Sequence, residues 1–242
     1  MKIIFLHLQI LLFSINVIFS QPSPPKLSEP FKAGEKLEYR VHYGIFNASY
    51  ASLSLSKKDS LDDENLLASG YGKTIGLARL FFKVEDYYSS YFDNEKVSPV
   101  FFKRDTYEGG YTKDLEISFD SQGNKASVNN IKKGTLEVIP TEENVQDLIS
   151  SLYYLRKNFS PNSIEVGDYY TINMFYDSKN TELALKYLGK EVINTKFGKV
   201  ECLKLMPATD RSRIFKGEGS ITMWLTNDKN KIPIRIQADL LV

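Results

Sequence analysis

Groups able to do covalent or metal chemistry are scarce in this sequence. It holds one cysteine, Cys202, and two histidines, His7 and His42. His7 falls inside an N-terminal apolar run that is expected to be removed, so His42 alone remains. A zinc site containing histidine needs several ligands at fixed spacing, and one histidine with one remote cysteine does not supply them. Asp59, Asp62, Asp63 and Glu64 offer oxygens, yet they lack the positions of a twelve-residue calcium loop. They read as a solvated loop. Cys202 has no histidine in a nucleophile pattern, and no Gly-x-Ser-x-Gly elbow occurs. A glycosidase needs two carboxylates facing across a cleft, and no pair stands out by spacing. Gly70, Gly72, Gly217 and Gly219 are not followed by the strand-to-helix turn that cradles phosphate. The residues therefore predict a protein that is not an enzyme, with no metal and no cofactor.

What remains is apolar and aromatic chemistry. The chain has 15 Tyr, 15 Phe and one Trp among 242 residues. Aromatics favour half-buried positions on pleated sheets, and core packing is their first reading. An apolar or carbohydrate site is the second. Arg156, beside Tyr153 and Tyr154, is either paired with a carboxylate under a sheet or turned toward a ligand. Arg211 and Arg213 near Lys216 form a small basic patch, read as solvated.

The elements that would position these groups are mostly strands. Leu37, Tyr39, Val41 and Tyr43 alternate with polar residues, as a strand with one wet face does. His42 lies on that wet face with Glu38 and Arg40. Ala51, Leu53 and Leu55 repeat the period, and Leu66–Gly70 gives a third strand. Residues 73–90 are ambiguous, starting like a short helix and ending in strand signals. Strands follow at 100–102, 115–119 and 136–139, with a turn at Asp120–Asn124. After residue 166, alternation returns through Tyr170, Ile172, Met174 and Tyr176, then 183–188, 189–194 and 199–206. Cys202 shares a face there with Val200 and Lys204, which leaves partial burial open, but a buried, inert thiol is its first reading. Ile221, Met223 and Leu225 pair with Ile232, Ile234 and Ile236 in a closing hairpin. Pro233 cannot donate to a ladder, so it marks an edge or a bulge.

One segment departs from this pattern. Val145, Leu148, Ile149, Leu152 and Leu155 recur at helical spacing over Asn144–Phe159. Thr141 is placed to cap, Glu142 and Glu143 fall in the first turn, and Ser160-Pro161 stops the helix. Such an amphipathic helix must cover something apolar, and only the face of a sheet is available. The candidates for contact with a ligand or a core are therefore Val145, Leu148, Leu152, Tyr153, Leu155 and Arg156. Tyr39 of the first strand and Trp224 of the last hairpin join them.

The ends carry addresses rather than fold. Lys2, the apolar run Ile3–Ile18 and the break at Ser20-Gln21-Pro22 read as a secretory signal peptide over residues 1–20. A retained anchor is the alternative reading. Cys202 is too far away for N-terminal lipidation. Residues 21–30 hold four prolines and read as an extended lead-in. Residues 31–242 are then one β domain, ending at Leu240-Leu241-Val242 with the end either tucked into a sheet or cut short. The expected location is periplasmic or secreted, with no membrane span left after cleavage. The 31 Lys and Arg against 30 Asp and Glu leave no net attraction for nucleic acid. One cysteine permits no internal disulfide, so an apolar core must hold the fold.

Four stretches resemble the DUF3108 family of exported bacterial proteins of unknown function. They are Phe31–Tyr39, Asp147–Arg156, Thr195–Lys204 and the closing region with Phe215–Gly219, Met223–Asp228 and Ile232–Arg235. The resemblance implies a strongly curved antiparallel sheet or open β-barrel, and no chemistry. That geometry is similar to periplasmic lipoprotein carriers, in which a half-barrel holds acyl chains under a helical lid. The helix expected at 142–158 would be the lid. The leading expectation is a non-enzymatic structural or interaction protein of the bacterial cell envelope, its partner another envelope protein. The alternative is a carrier of lipid or another apolar ligand between sheet and helix. A hydrolase of envelope polysaccharide comes third. The space beneath residues 145–155 decides between the first two.

Overall fold

The computed structural model describes residues 29–43, 46–57, 65–208 and 221–238. The expected signal peptide at 1–20, most of the proline-rich lead-in, the acidic run at 59–64, Arg211, Arg213, the stretch Phe215–Gly219 and the last residues lie outside it.

The first eight strands are β1 (Lys36–Tyr43), β2 (Phe46–Ser56), β3 (Asn65–Thr74), β4 (Val84–Asp93), β5 (Pro99–Glu108), β6 (Tyr111–Asp120), β7 (Lys125–Asn130) and β8 (Thr135–Pro140). They pair in chain order as one antiparallel meander. A short helix α1 (Gly76–Phe81) interrupts the β3–β4 connection, where the sequence left helix and strand both open. Alternation explains the two faces. One rung runs Leu55, Ala68, Ser90, Phe102, Ile117, Val128 across six strands. All six are buried. The neighbouring rung Ser54, Ser69, Ser89, Lys103, Glu116 faces outward.

After helix α2 (Ser150–Asn158) come β9 (Tyr169–Tyr176), β10 (Lys179–Thr195), β11 (Gly198–Pro207), β12 (Ile221–Thr226) and β13 (Pro233–Ala238). They form a second antiparallel sheet in the order β13-β12-β11-β10-β9. The two strand runs expected at 183–194 are one long strand with a bulge between Tyr187 and Lys190. Gly189 makes the bulge at φ +89°, a region open to glycine. Pro233 opens the edge strand β13 opposite an irregular register, as its missing N–H requires.

The fold is β-dominated, antiparallel and curved, as expected, with its strands divided between two sheets. The helix is not a lid on one face; it lies between the sheets. Tyr153 buries against Phe31 and Phe92, ring centroids 4.9 and 5.2 Å away, within the core of the first sheet. Leu155 buries on the other side with Ile172, Met174, Leu185, Leu203, Leu205 and Leu225 of the second.

The helix is also shorter than its periodicity suggests. Residues 142–149 are not helical, because tertiary pairing uses their backbone. The Thr141 N–H donates to Asn124 O and the Glu142 N–H to the Asn180 side chain. Asn144 has φ +53°, which breaks a right-handed helix. Gln146 then forms a parallel bridge with Met174 on β9, donating to Asn173 O and accepting from Phe175 N at 2.8 Å each. That bridge covers the edge of β9. The cap is Asp147 rather than Thr141. Its Oδ1 accepts from the Ile149 and Ser150 N–H groups at 2.8 Å, and Ser150 Oγ accepts from the Asp147 N–H at 2.9 Å. This is a reciprocal capping box.

Candidate functional site

Two arrangements surround α2: a polar clasp at its C-terminal end, and an apolar groove along one flank. The clasp centres on Arg156, which has no exposed surface. Nη1 and Nη2 bind the two oxygens of Glu35 at 2.6 and 2.8 Å. Nη2 also donates to Pro30 O at 3.1 Å, and Nε to Asn230 O at 2.9 Å. The guanidinium lies 5.4 Å from the ring centres of Phe31 and Tyr153. Lys231 Nζ returns a bond to Arg156 O. Tyr39 donates to Pro233 O at 2.8 Å, tying β1 to β13. With four donors engaged by protein acceptors, Arg156 and Tyr39 join the lead-in, the first sheet, the helix and the last hairpin. Neither is presented to a ligand. Of the two roles open to Arg156, the structure selects the carboxylate pair.

Asp147 sits deeper, wholly buried, its Oδ2 accepting from Ser90 Oγ at 2.6 Å. Loss of hydration pushes its carboxyl up to about 6, and the bonds from Ser90, Ser150 and Ile149 hold the rise back. Sequence reading did not single it out. The signal was present as Asp-x-x-Ser, three residues apart, ahead of an apolar run.

The groove lies between α2 and the second sheet. Leu148, Ser151, Leu152 and Leu155 form one wall. Met174, Leu183 and Leu185 form the floor, and Pro207, Ile221, Met223 and Ile236 the far side. Its volume is about 280 Å³. Among the described residues, Ser151 carries the one polar side chain of the lining, and its hydroxyl donates to Leu148 O at 2.9 Å. Among the described residues, no titratable side chain lines the groove. It offers only surface that water solvates poorly. A larger recess, about 710 Å³ beside Glu29–Glu35, Lys229 and Asn230, has a charged lining.

Of the candidates named from sequence, Leu148, Leu152 and Leu155 line the groove. Val145 does not; it is buried with Phe102, Leu115 and Phe175. Tyr153 faces the first sheet. Trp224 lies on the far face of the second sheet with Ile193 and Cys202, its Nε1 donating to Glu191 at 3.2 Å. Cys202 has no exposed surface, more buried than its alternation suggested, and burial pushes its thiol up. The sheet-side lining was legible only as alternation in Met174, Leu183, Leu185, Ile221, Met223 and Ile236. Nothing in the spacing said that α2 would stand over them.

Comparison with known proteins adds fold and family. The family model described as "Protein of unknown function (DUF3108)" matches residues 38–242. A β-barrel-like protein of the DUF1849 family from Brucella abortus is similar in structure, with TM-score 0.50 and 12% identity over 79% of this chain and 81% of that one. A DUF1089 family protein from Pseudomonas aeruginosa aligns with TM-score 0.41 and 11% identity, over 82% of this chain and 96% of that one. No curated protein matches. Among the described residues, no helix is long and apolar enough to cross a membrane.

Proposed function

The chain belongs to the DUF3108 family, and from its geometry we propose that it is a non-enzymatic binding protein for an apolar ligand. The ligand is an acyl chain or a similarly slender hydrocarbon, held between α2 and the second sheet. The apolar run at residues 3–18, read as a cleaved leader, supports a periplasmic or secreted site of action. The groove carries the reading. A solid core under the helix would have favoured a scaffold of the envelope, and the first sheet does have one, filled by Phe31, Phe92 and Tyr153. Among the described residues, the second sheet keeps an apolar space on its helix-facing side.

Size sets the class of ligand. A cavity of about 150 Å³ accepts benzene, and this groove is nearly twice that, just under the usual range for drug-sized ligands. It fits a short acyl chain or one end of a longer one. Removing roughly 200 Å² of apolar ligand surface from water contributes about 5 kcal/mol. Association costs offset part of it, so dissociation constants are submillimolar at the tightest and otherwise millimolar.

Titration with the fluorescent probe N-phenylnaphthylamine, followed by displacement with decanoate, tests this. Saturable binding is expected, weakened about tenfold or more by Leu183→Trp, which fills the floor. Ile236→Asp, at a lip that is 65% exposed, should weaken binding without unfolding the protein. Unsaturable binding, or full affinity in both folded variants, refutes the proposal.

A further inference from the structure

We propose that the end of the eight-stranded sheet carrying α1 docks onto an anionic lipid surface. In an antiparallel meander the connections alternate between the two ends of the sheet. Residues 75–83, 109–110 and 131–134 therefore share one end, and 94–98 and 121–124 share the other. The two ends differ in chemistry. At the first, Leu77, Leu80, Phe81, Phe82, Tyr111 and Ile131 are all exposed, Leu80 at 80% and Phe81 at 87%. At the second, the one large apolar residue in the described connections, Val97, is wholly buried.

Helix α1 shows the anomaly most plainly. It carries Leu77, Leu80 and Phe81, yet none of its residues is buried. A helix of such composition ordinarily buries its apolar side chains. The Phe82 ring lies where a side chain on Gly109 would be, and Arg79 pairs with Glu85 at 2.9 Å, while the tips of Leu80 and Phe81 stand out from the sheet.

Charge selects the occupant. The three described connections contain Arg79, Lys83, Lys132 and Lys133. Glu85, at the start of β4, pairs with both Arg79 and Lys83, at 2.9 and 3.6 Å, so Lys132 and Lys133 carry most of the excess positive charge at this end. Lysine is depleted at the cores of protein–protein interfaces. Cations interleaved with Phe and Leu are the pattern of a surface that lies in a bilayer interface, where the apolar tips enter the acyl boundary and the ammonium groups meet lipid phosphates. The occupant is therefore a bilayer with phosphate headgroups.

Cosedimentation of the purified protein with vesicles is the test. Partitioning onto vesicles of about one-third phosphatidylglycerol in phosphatidylcholine should exceed that onto phosphatidylcholine alone by about tenfold or more, and should fall with added salt. Phe81→Asp and the pair Lys132→Glu/Lys133→Glu should each reduce it by about tenfold. Both variants alter exposed residues, so circular dichroism and binding of the groove probe should match the parent. Failure of the anionic vesicles to bind the protein would overturn the proposal, as would equal partitioning of parent and variants. A stable dimer that Phe81→Asp converts to monomer would also overturn it, by assigning the end to a second copy of the chain.

Discussion

Replacing Glu35 with glutamine isolates the clasp that joins the two sheets. Arg156 has no exposed surface and Glu35 is 16% exposed, so the guanidinium cannot recover its hydration when its partner changes. Removing one member of a buried pair costs about 3–5 kcal/mol. Because Glu35 keeps some contact with water and glutamine retains one acceptor, the lower end applies, about 3 kcal/mol for Glu35→Gln. Arg156→Met should also destabilise, since Pro30 O and Asn230 O lose donors. The methionine would still pack between Phe31 and Tyr153. In the double variant no charge is stranded, so its loss should fall short of the sum by about 2 kcal/mol. Urea unfolding followed by fluorescence reads all four proteins, and Trp224, the single tryptophan, reports from the second sheet. A cost below about 0.5 kcal/mol for Glu35→Gln would place the pair among ordinary surface contacts and refute the reasoning.

Three further outcomes follow from buried groups. The folded state raises the Asp147 carboxyl to about 6, so it favours the protonated form. The resulting stability is complete below the unfolded pKa near 4 and is lost as pH rises through about 6, by about 3 kcal/mol. Wild type should therefore lose stability relative to Asp147→Asn between those pH values, and parallel urea midpoints would contradict this. Cys202, buried with its thiol pushed up, should resist a thiol reagent in the native protein and react at once in urea; fast native labelling would contradict its placement. Gly189→Ala should cost about 1 kcal/mol or more by unfolding assay, because φ is +89° and the new Cβ would lie 3.3 Å from Val166; an unchanged midpoint would show that the bulge tolerates a side chain.

The strands were legible because one face of each sheet is dry and the other wet, so a period of two is written into Leu37–Val41, Leu53–Leu55 and Ile172–Met174. The helix was legible in its second half only. Val145 and Ile149 sit at helical spacing from Leu148 and Leu152, yet Gln146 pairs with β9, and a contact that distant leaves no local mark. The true cap was hidden for a related reason: Asp147 resembles any polar residue on a helix until Ser90 arrives from β4. The division into two sheets depends on where Tyr153 and Leu155 point, on opposite sides of one helix. The groove required both the helix and five strands to be placed before its walls met. Arg156 was readable as a paired residue, but Glu35 lies so far back along the chain that only folding could name it.

The central claim is that the space between α2 and the second sheet takes up an apolar molecule. Methyl-resolved NMR during titration with decanoate addresses it directly. The account predicts saturable shifts confined to the groove lining, Leu148, Leu152, Leu155, Met174, Leu183, Leu185, Ile221, Met223 and Ile236. Unmoved resonances, or shifts centred on Leu77 and Leu80 instead, would contradict it.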